Sequence, residues 1–118
     1  MTKRQGWIGV DLDGTLAHYN GWKGWEHIGE PIPAMVERVK RWLDEGREVR
    51  IFTARISDME NAPKIGTAIK DWTERHLGVR LLVTNVKDWA MDELWDDRAV
   101  QVIPNTGEPV GHSTRGLG

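Results

Sequence analysis

The sequence predicts one α/β domain with a mostly parallel central sheet in a three-layer arrangement with helices. Two observations carry that expectation. Short apolar runs alternate with helix-periodic stretches, the pattern of parallel strands joined by helical crossovers. Polar residues gather just after the apolar runs, where open parallel sheets place their functional crevice.

Trp7-Ile8-Gly9-Val10 reads as a short buried strand. Residues 18–33 form a polar, glycine-containing loop. From Pro33 the period changes: Val36, Val39, Trp42 and Leu43 share one helix face, with Pro33 in its first turn and Gly46 at its stop. Residues 48–53 read as the second strand. After a second loop, 54–62, Asn61 caps and Pro63 opens another helix, whose face carries Ile65, Ala68, Ile69 and Trp72 and which Gly78 ends. Residues 80–84 read as the third strand and Lys87–Met91 as a short mixed segment. Glu93–Trp95 is expected as a short strand ending in Asp96-Asp97, and Ala99–Ile103 as a last short strand. The chain is thus expected to be a single Rossmann-like domain with a core over about 7–103 and a loose tail over 104–118.

The 118 residues suit one domain. A net charge of −2 gives no basic excess for broad binding of nucleic acid. The absence of cysteine excludes disulfides and thiolate metal sites. No stretch approaches the ~20 apolar residues that span a membrane, and residues 1–6 carry no apolar signal segment. A cytoplasmic protein without membrane contact is expected. Seven tryptophans stand against one Phe and one Tyr. Trp7, Trp42, Trp72, Trp89 and Trp95 fall in or beside expected elements, where a core role is expected. Trp22 and Trp25 lie in a glycine-rich loop and need another account.

The first strand runs directly into Asp11-Leu12-Asp13-Gly14-Thr15. Burying charge is costly unless it is paired or metal-bound, and strand alternation puts Asp11 and Asp13 on one side. The pair suits a divalent cation with acid, base or nucleophilic chemistry beside it. The other strand ends supply Thr53 with Arg55 after it, Asn85 with Lys87, and Asp96-Asp97. A calcium loop of the EF-hand type is excluded, because Gly14 falls at loop position 4 and Trp22 at position 12.

Taken in order, Asp11-Leu12-Asp13-Gly14-Thr15, Ile51-Phe52-Thr53, Lys87 and Leu94-Trp95-Asp96-Asp97 resemble the motifs of the haloacid dehalogenase superfamily of aspartate-nucleophile phosphotransferases. The resemblance covers roughly residues 7–103. It implies a phosphomonoester hydrolase in which Asp11 attacks phosphorus to give an aspartyl-phosphate. Asp13 then protonates the leaving oxygen and takes a proton from water. For that, Asp13 must titrate near working pH while Asp11 stays charged. A second Asp at position 13 marks the phosphatase-like members rather than the dehalogenases.

Phosphoryl transfer needs positive charge and fixed donors. Mg²⁺ held by Asp11, the Asp13 backbone carbonyl and Asp96 would supply the charge, with Asp97 as an alternative ligand or as a partner of Lys87 or a metal-bound water. Lys87, nine residues before Asp96, would keep Asp11 ionised, although a lone lysine also reads as an exposed turn. Thr53 and loop N–H groups would hold phosphoryl oxygens, although Thr also simply favours strands. Gly14 and Thr15 shape the turn and, with Ala54, are expected to bind substrate. Arg55 reads either as a solvated charge or as a clamp on a phosphate or carboxylate.

The intervals 16–31 and 54–62 are too short for an inserted cap domain, so the resemblance implies a capless member. Trp22 and Trp25, with Gly21 and Gly24 beside them, have three readings. They stack on a nucleobase, they pack on a neighbouring subunit that serves as the cap, or they fold onto their own core. His18 and His27 read as loop hydrogen-bonding residues. The expected partner is a small phosphorylated substrate, a nucleotide or sugar phosphate, with a polynucleotide end less favoured. The competing readings are a non-catalytic domain that binds a phospho-ligand or a protein, and a phosphotransferase with an acceptor other than water.

Overall fold

In the structure, a computed structural model, residues 6–111 are described. Four strands form one sheet: β1 Trp7–Val10, β2 Glu48–Phe52, β3 Val83–Thr84 and β4 Met91–Trp95. Their order is β3-β2-β1-β4 and every pairing is parallel. Helices α1 (Pro33–Asp44) and α2 (Ala62–Leu77) make the first two crossovers. Those crossovers step the same way along the sheet, so right-handedness puts both helices on one face.

Alternation along β1 points Ile8 and Val10 into the helix-covered core with Val49 and Ile51 of β2. Met35 and Val39 from α1 and Ile65, Ile69, Trp72 and Leu77 from α2 close that core. The α1 face expected from the sequence is present, with Val39 buried and Val36, Trp42 and Leu43 half-buried, and Met35 joins it. Trp42 meets Trp95 of β4 edge-on at 5.2 Å. A left-handed Gly78 ends α2 at φ 86°. Asn61 precedes α2 but does not cap it through its side chain; that amide donates instead to Asp58 at 3.0 Å. The Thr73 hydroxyl, buried on α2, accepts from the Leu81 N–H at 3.1 Å and turns the chain toward β3.

Trp7 points to the other face of the sheet, stacked on Phe52 at 6.5 Å with the Arg50 guanidinium 4.4 Å from its ring. The third layer there is the segment 85–90, which carries the chain from β3 back to the start of β4. Asp88 anchors it, accepting from the Trp7 indole N–H at 2.9 Å and lying 3.8 Å from Arg50. Trp89 was expected in the core; it lies in this segment and is 96% exposed. With the crossover this short, it carries no helix face to turn Trp89 inward.

Residues 99–103, expected as a strand, do not join the sheet. Val102 bridges Pro109, and the Ile103 and Val110 N–H groups donate to Glu108 and Gln101. The apolar alternation there serves a local antiparallel turn, reversed through left-handed Asn105 and Gly107. The expected loose tail therefore starts as this turn over 104–111, and 112–118 lie outside the described residues. Among the described residues, no helix is long and apolar enough to cross a membrane.

Candidate active site

The strand order reverses at β1, whose neighbours β2 and β4 lie on either side. Such switch points open a crevice beyond the strand carboxyl ends. Here it is a cleft of about 880 Å³. The Asp11 N–H extends the β1–β4 ladder by donating to the Trp95 carbonyl at 2.9 Å. That bond sets Asp11 beside the two acids that follow β4. Oxygens of Asp11, Asp96 and Asp97 lie within 4.8 Å of one another. Burial first, then the charge of Asp96 and the hydrogen-bonded Asp97, pushes the Asp11 carboxyl up to about 7. The sequence expectation was a charged Asp11 beside Lys87. Burial and then the neighbouring acids govern Asp11, and Lys87 is exposed and not among the cleft-lining residues.

After Asp11 the chain turns tightly. Leu12 is buried, and its carbonyl accepts from the Leu16 and Ala17 N–H groups. Gly14 has φ 88°, and a Cβ there would collide with the Asp97 carboxylate, so the turn needs glycine on both counts. The Thr15 hydroxyl lies 3.5 Å from Asp11 Oδ2 and 3.4 Å from Asp97 Oδ1. Gly14 and Thr15 therefore support the acids from outside the cleft lining. Arg98 contributes its N–H to Asp96 Oδ1 at 2.7 Å, fixing that carboxylate.

Asp13 faces the other wall. Arg55 Nε and Nη2 donate to its two oxygens, both at 2.8 Å. The same guanidinium donates to the carbonyls of Trp25 at 3.1 Å and His27 at 3.0 Å. Arg55 is 9% exposed, so the solvated-charge reading does not hold. It clamps a carboxylate, and that carboxylate is the chain's own. Thr53, buried at the end of β2, accepts from the Arg55 N–H through its hydroxyl at 3.1 Å. That contact starts the 3-10 turn Ala54–Ser57.

The loop with Trp22 and Trp25 is fastened in three places. At its neck the His18 N–H donates to Glu30 and the Ile32 N–H to Leu16, both at 2.8 Å. The Gly29 carbonyl accepts from the Trp72 indole at 3.2 Å. Arg55 holds the far side. Trp25 packs against the core, the third of its three readings. Trp22 instead stays 58% exposed and lines the cleft, 4.9 Å from the Arg55 guanidinium carbon.

Asp11, Asp13, Trp22, Thr53, Ala54, Arg55, Asp96 and Asp97 all line the cleft, whereas Trp25 and Lys87 do not. Tyr19, Phe52, Ser57, Asn85, Arg98 and Ala99 also line it without having been assigned to the site. Phe52 ends β2 and Asn85 directly follows β3, Ser57, Arg98 and Ala99 lie within five residues after a strand end, and Tyr19 lies in the loop after Asp13; that placement was the available signal.

No protein-family model and no curated protein matches the chain. Among solved structures it is similar to a conserved protein from Bacteroides thetaiotaomicron. The TM-score is 0.60 at 24% identity, over 85% of this chain and 82% of that one. That likeness supports the α/β fold.

Proposed function

We propose that this chain is a phosphomonoester hydrolase that uses Mg²⁺ and forms an aspartyl-phosphate on Asp11, as its resemblance to the haloacid dehalogenase superfamily implies. One observation carries the reading. Three carboxylates from two adjacent strand ends crowd one spot in a cleft, and burial together with their mutual repulsion raises Asp11 to about 7. A hard divalent cation on those oxygens relieves that repulsion, so Asp11, Asp96 and Asp97 fit Mg²⁺. When bound, the ion supplies positive charge toward phosphoryl oxygens.

The chain's own residues divide the remaining work. Asp11 attacks phosphorus, and the bond to the leaving alcohol oxygen breaks as that oxygen takes a proton from Asp13. Water then attacks the aspartyl-phosphate, gives its proton to Asp13, and phosphate leaves as Asp11 is regenerated. The Thr53 hydroxyl accepts from the Arg55 N–H and keeps its own proton to donate to a phosphoryl oxygen. Both Asp13 oxygens already accept from Arg55. Proton donation by Asp13 therefore requires that pair to part when substrate enters.

The same occupancy, with Lys87 outside the lining, favours a second reading: a non-catalytic domain that binds a phosphorylated ligand. Release of p-nitrophenol from p-nitrophenyl phosphate, with and without Mg²⁺, separates the two. The hydrolase reading expects metal-dependent release that falls at least ~10³-fold in Asp11→Asn. Absence of metal-dependent release in the wild type, matched by Asp11→Asn, leaves the binding reading in its place.

A further inference from the structure

We propose that the cleft selects phosphomonoesters whose leaving group carries a planar heteroaromatic ring, a nucleoside monophosphate in size and chemistry, with that ring stacked on Trp22. The inference rests on the hydrolase reading for the word substrate, and on the cleft alone for binding.

Trp22 lies between Gly21 and Gly24, where a loose loop would be expected, yet its ring has a fixed backing. Arg55 is buried, and four hydrogen bonds, to Asp13, Trp25 and His27, hold its guanidinium. That guanidinium sits 4.9 Å from the Trp22 ring centroid. One side of the indole is thus occupied by a cation that the Trp25 and His27 carbonyls hold even when Asp13 parts from it. The ring is still 58% exposed, and it lines the cleft. An indole with one side backed and much of its surface open to a cavity is a stacking platform, and base–aromatic stacking tolerates any base.

The shape of the cleft agrees. Its volume of about 880 Å³ far exceeds the needs of a phosphoryl group, so the leaving group must occupy space. Tyr19, Trp22 and Phe52 give that space aromatic walls. Asn85 adds an amide donor and acceptor to the lining, matched to the edge of a heteroaromatic ring rather than to a plain phenyl group. The acids stand at one strand-end pair and Trp22 in the loop after Asp13, so phosphate and ring are recognised by different parts of the chain.

Calorimetric titration of the full-length Asp11→Asn protein with Mg²⁺ tests this without turnover. The probes are adenosine 5′-monophosphate and ribose 5-phosphate, which share the phosphate and the sugar. The nucleotide is expected to bind about 10-fold tighter or more. In Trp22→Ala that ratio falls to near one, Trp22→Phe keeps most of it, and Trp89→Ala, altered on an exposed segment outside the cleft, keeps all of it. Equal affinity for the two probes, or an undiminished ratio in Trp22→Ala, overturns the proposal. A nucleotide preference in a protein without phosphatase activity upholds the ring site and removes only the hydrolase reading. Turnover of both phosphates at equal kcat/KM by the wild type removes only the ring site.

Discussion

Asp11 and Asp13 are two residues apart and stand in opposite surroundings. Asp11 is half-buried and faces Asp96 and Asp97, and burial with the charge of those acids drives it up to about 7. Asp13 meets Arg55 in a two-point pair, both contacts at 2.8 Å. The neighbouring strands set this difference rather than the Asp-Leu-Asp segment itself: β4 brings acids to one side of β1, and β2 brings a guanidinium to the other. One carboxylate stands among other acids, and the other already has a cation built in.

The compensated side is the easier to break. Arg55→Ala removes the partner of Asp13 and the donors to two loop carbonyls, and it should cost about 3 kcal/mol. Urea denaturation measures this; a loss under about 0.5 kcal/mol would mean that the pair is not structural. On the acidic side, Gly14→Ala forces a side chain into left-handed backbone and into Asp97. We expect a stability loss of about 1–2 kcal/mol and roughly 10-fold weaker Mg²⁺ binding by calorimetry. Unchanged metal affinity would exclude Asp97 from the cation site.

Smaller effects sharpen the contrast. Asp11→Asn removes one of three crowded charges, so the metal-free protein should melt a few degrees higher and lose much of the Mg²⁺-induced rise in Tm. A lower metal-free Tm would contradict the repulsion. The pH dependence has a definite sign. The folded-state pKa of Asp11 is raised above its unfolded value of 3.8, so the folded protein takes up a proton that the unfolded chain does not. Metal-free stability should therefore rise as pH falls through about 7, with the gain continuing until the unfolded chain also protonates near 3.8. Saturating Mg²⁺ should flatten that rise, and thermal melts at pH 8 and pH 6 suffice to see it. Smallest of all, Trp89→Ser alters a side chain that is 96% exposed, and stability should move by no more than about 0.5 kcal/mol.

Much of this was legible in the sequence, because strand alternation and strand ends are local properties. Trp7–Val10, the face of α1 and the gathering of acids after β1 and β4 follow from spacing alone. What was missed depends on partners far along the chain. Arg55 reads either as a solvated charge or as a clamp on a phosphate or carboxylate, and what decides between them is the chain's own Asp13 with the loop carbonyls of Trp25 and His27 folded around it. Trp89 reads as core until the crossover proves to be six residues without a helix. Residues 99–103 alternate as a strand should, but alternation does not say which chain segment supplies the pairing, and Glu108 and Val110 supply it.

The loop neck has one more consequence. His18 and Glu30 join across the base, as do Leu16 and Ile32, so the chain leaves the domain and re-enters it at the same doorway. Beyond it, Trp25, His27 and Gly29 stay tied to the framework, so it is the tip ahead of Trp25 that can grow without disturbing what lies below. Lengthening the excursion costs closure entropy of only about 0.6 kcal/mol per doubling, so a folded module could be spliced there while the sheet and its acids stay where they are. The opening over the acids can therefore be re-roofed by insertion at a single locus, without redesign of the chemistry beneath.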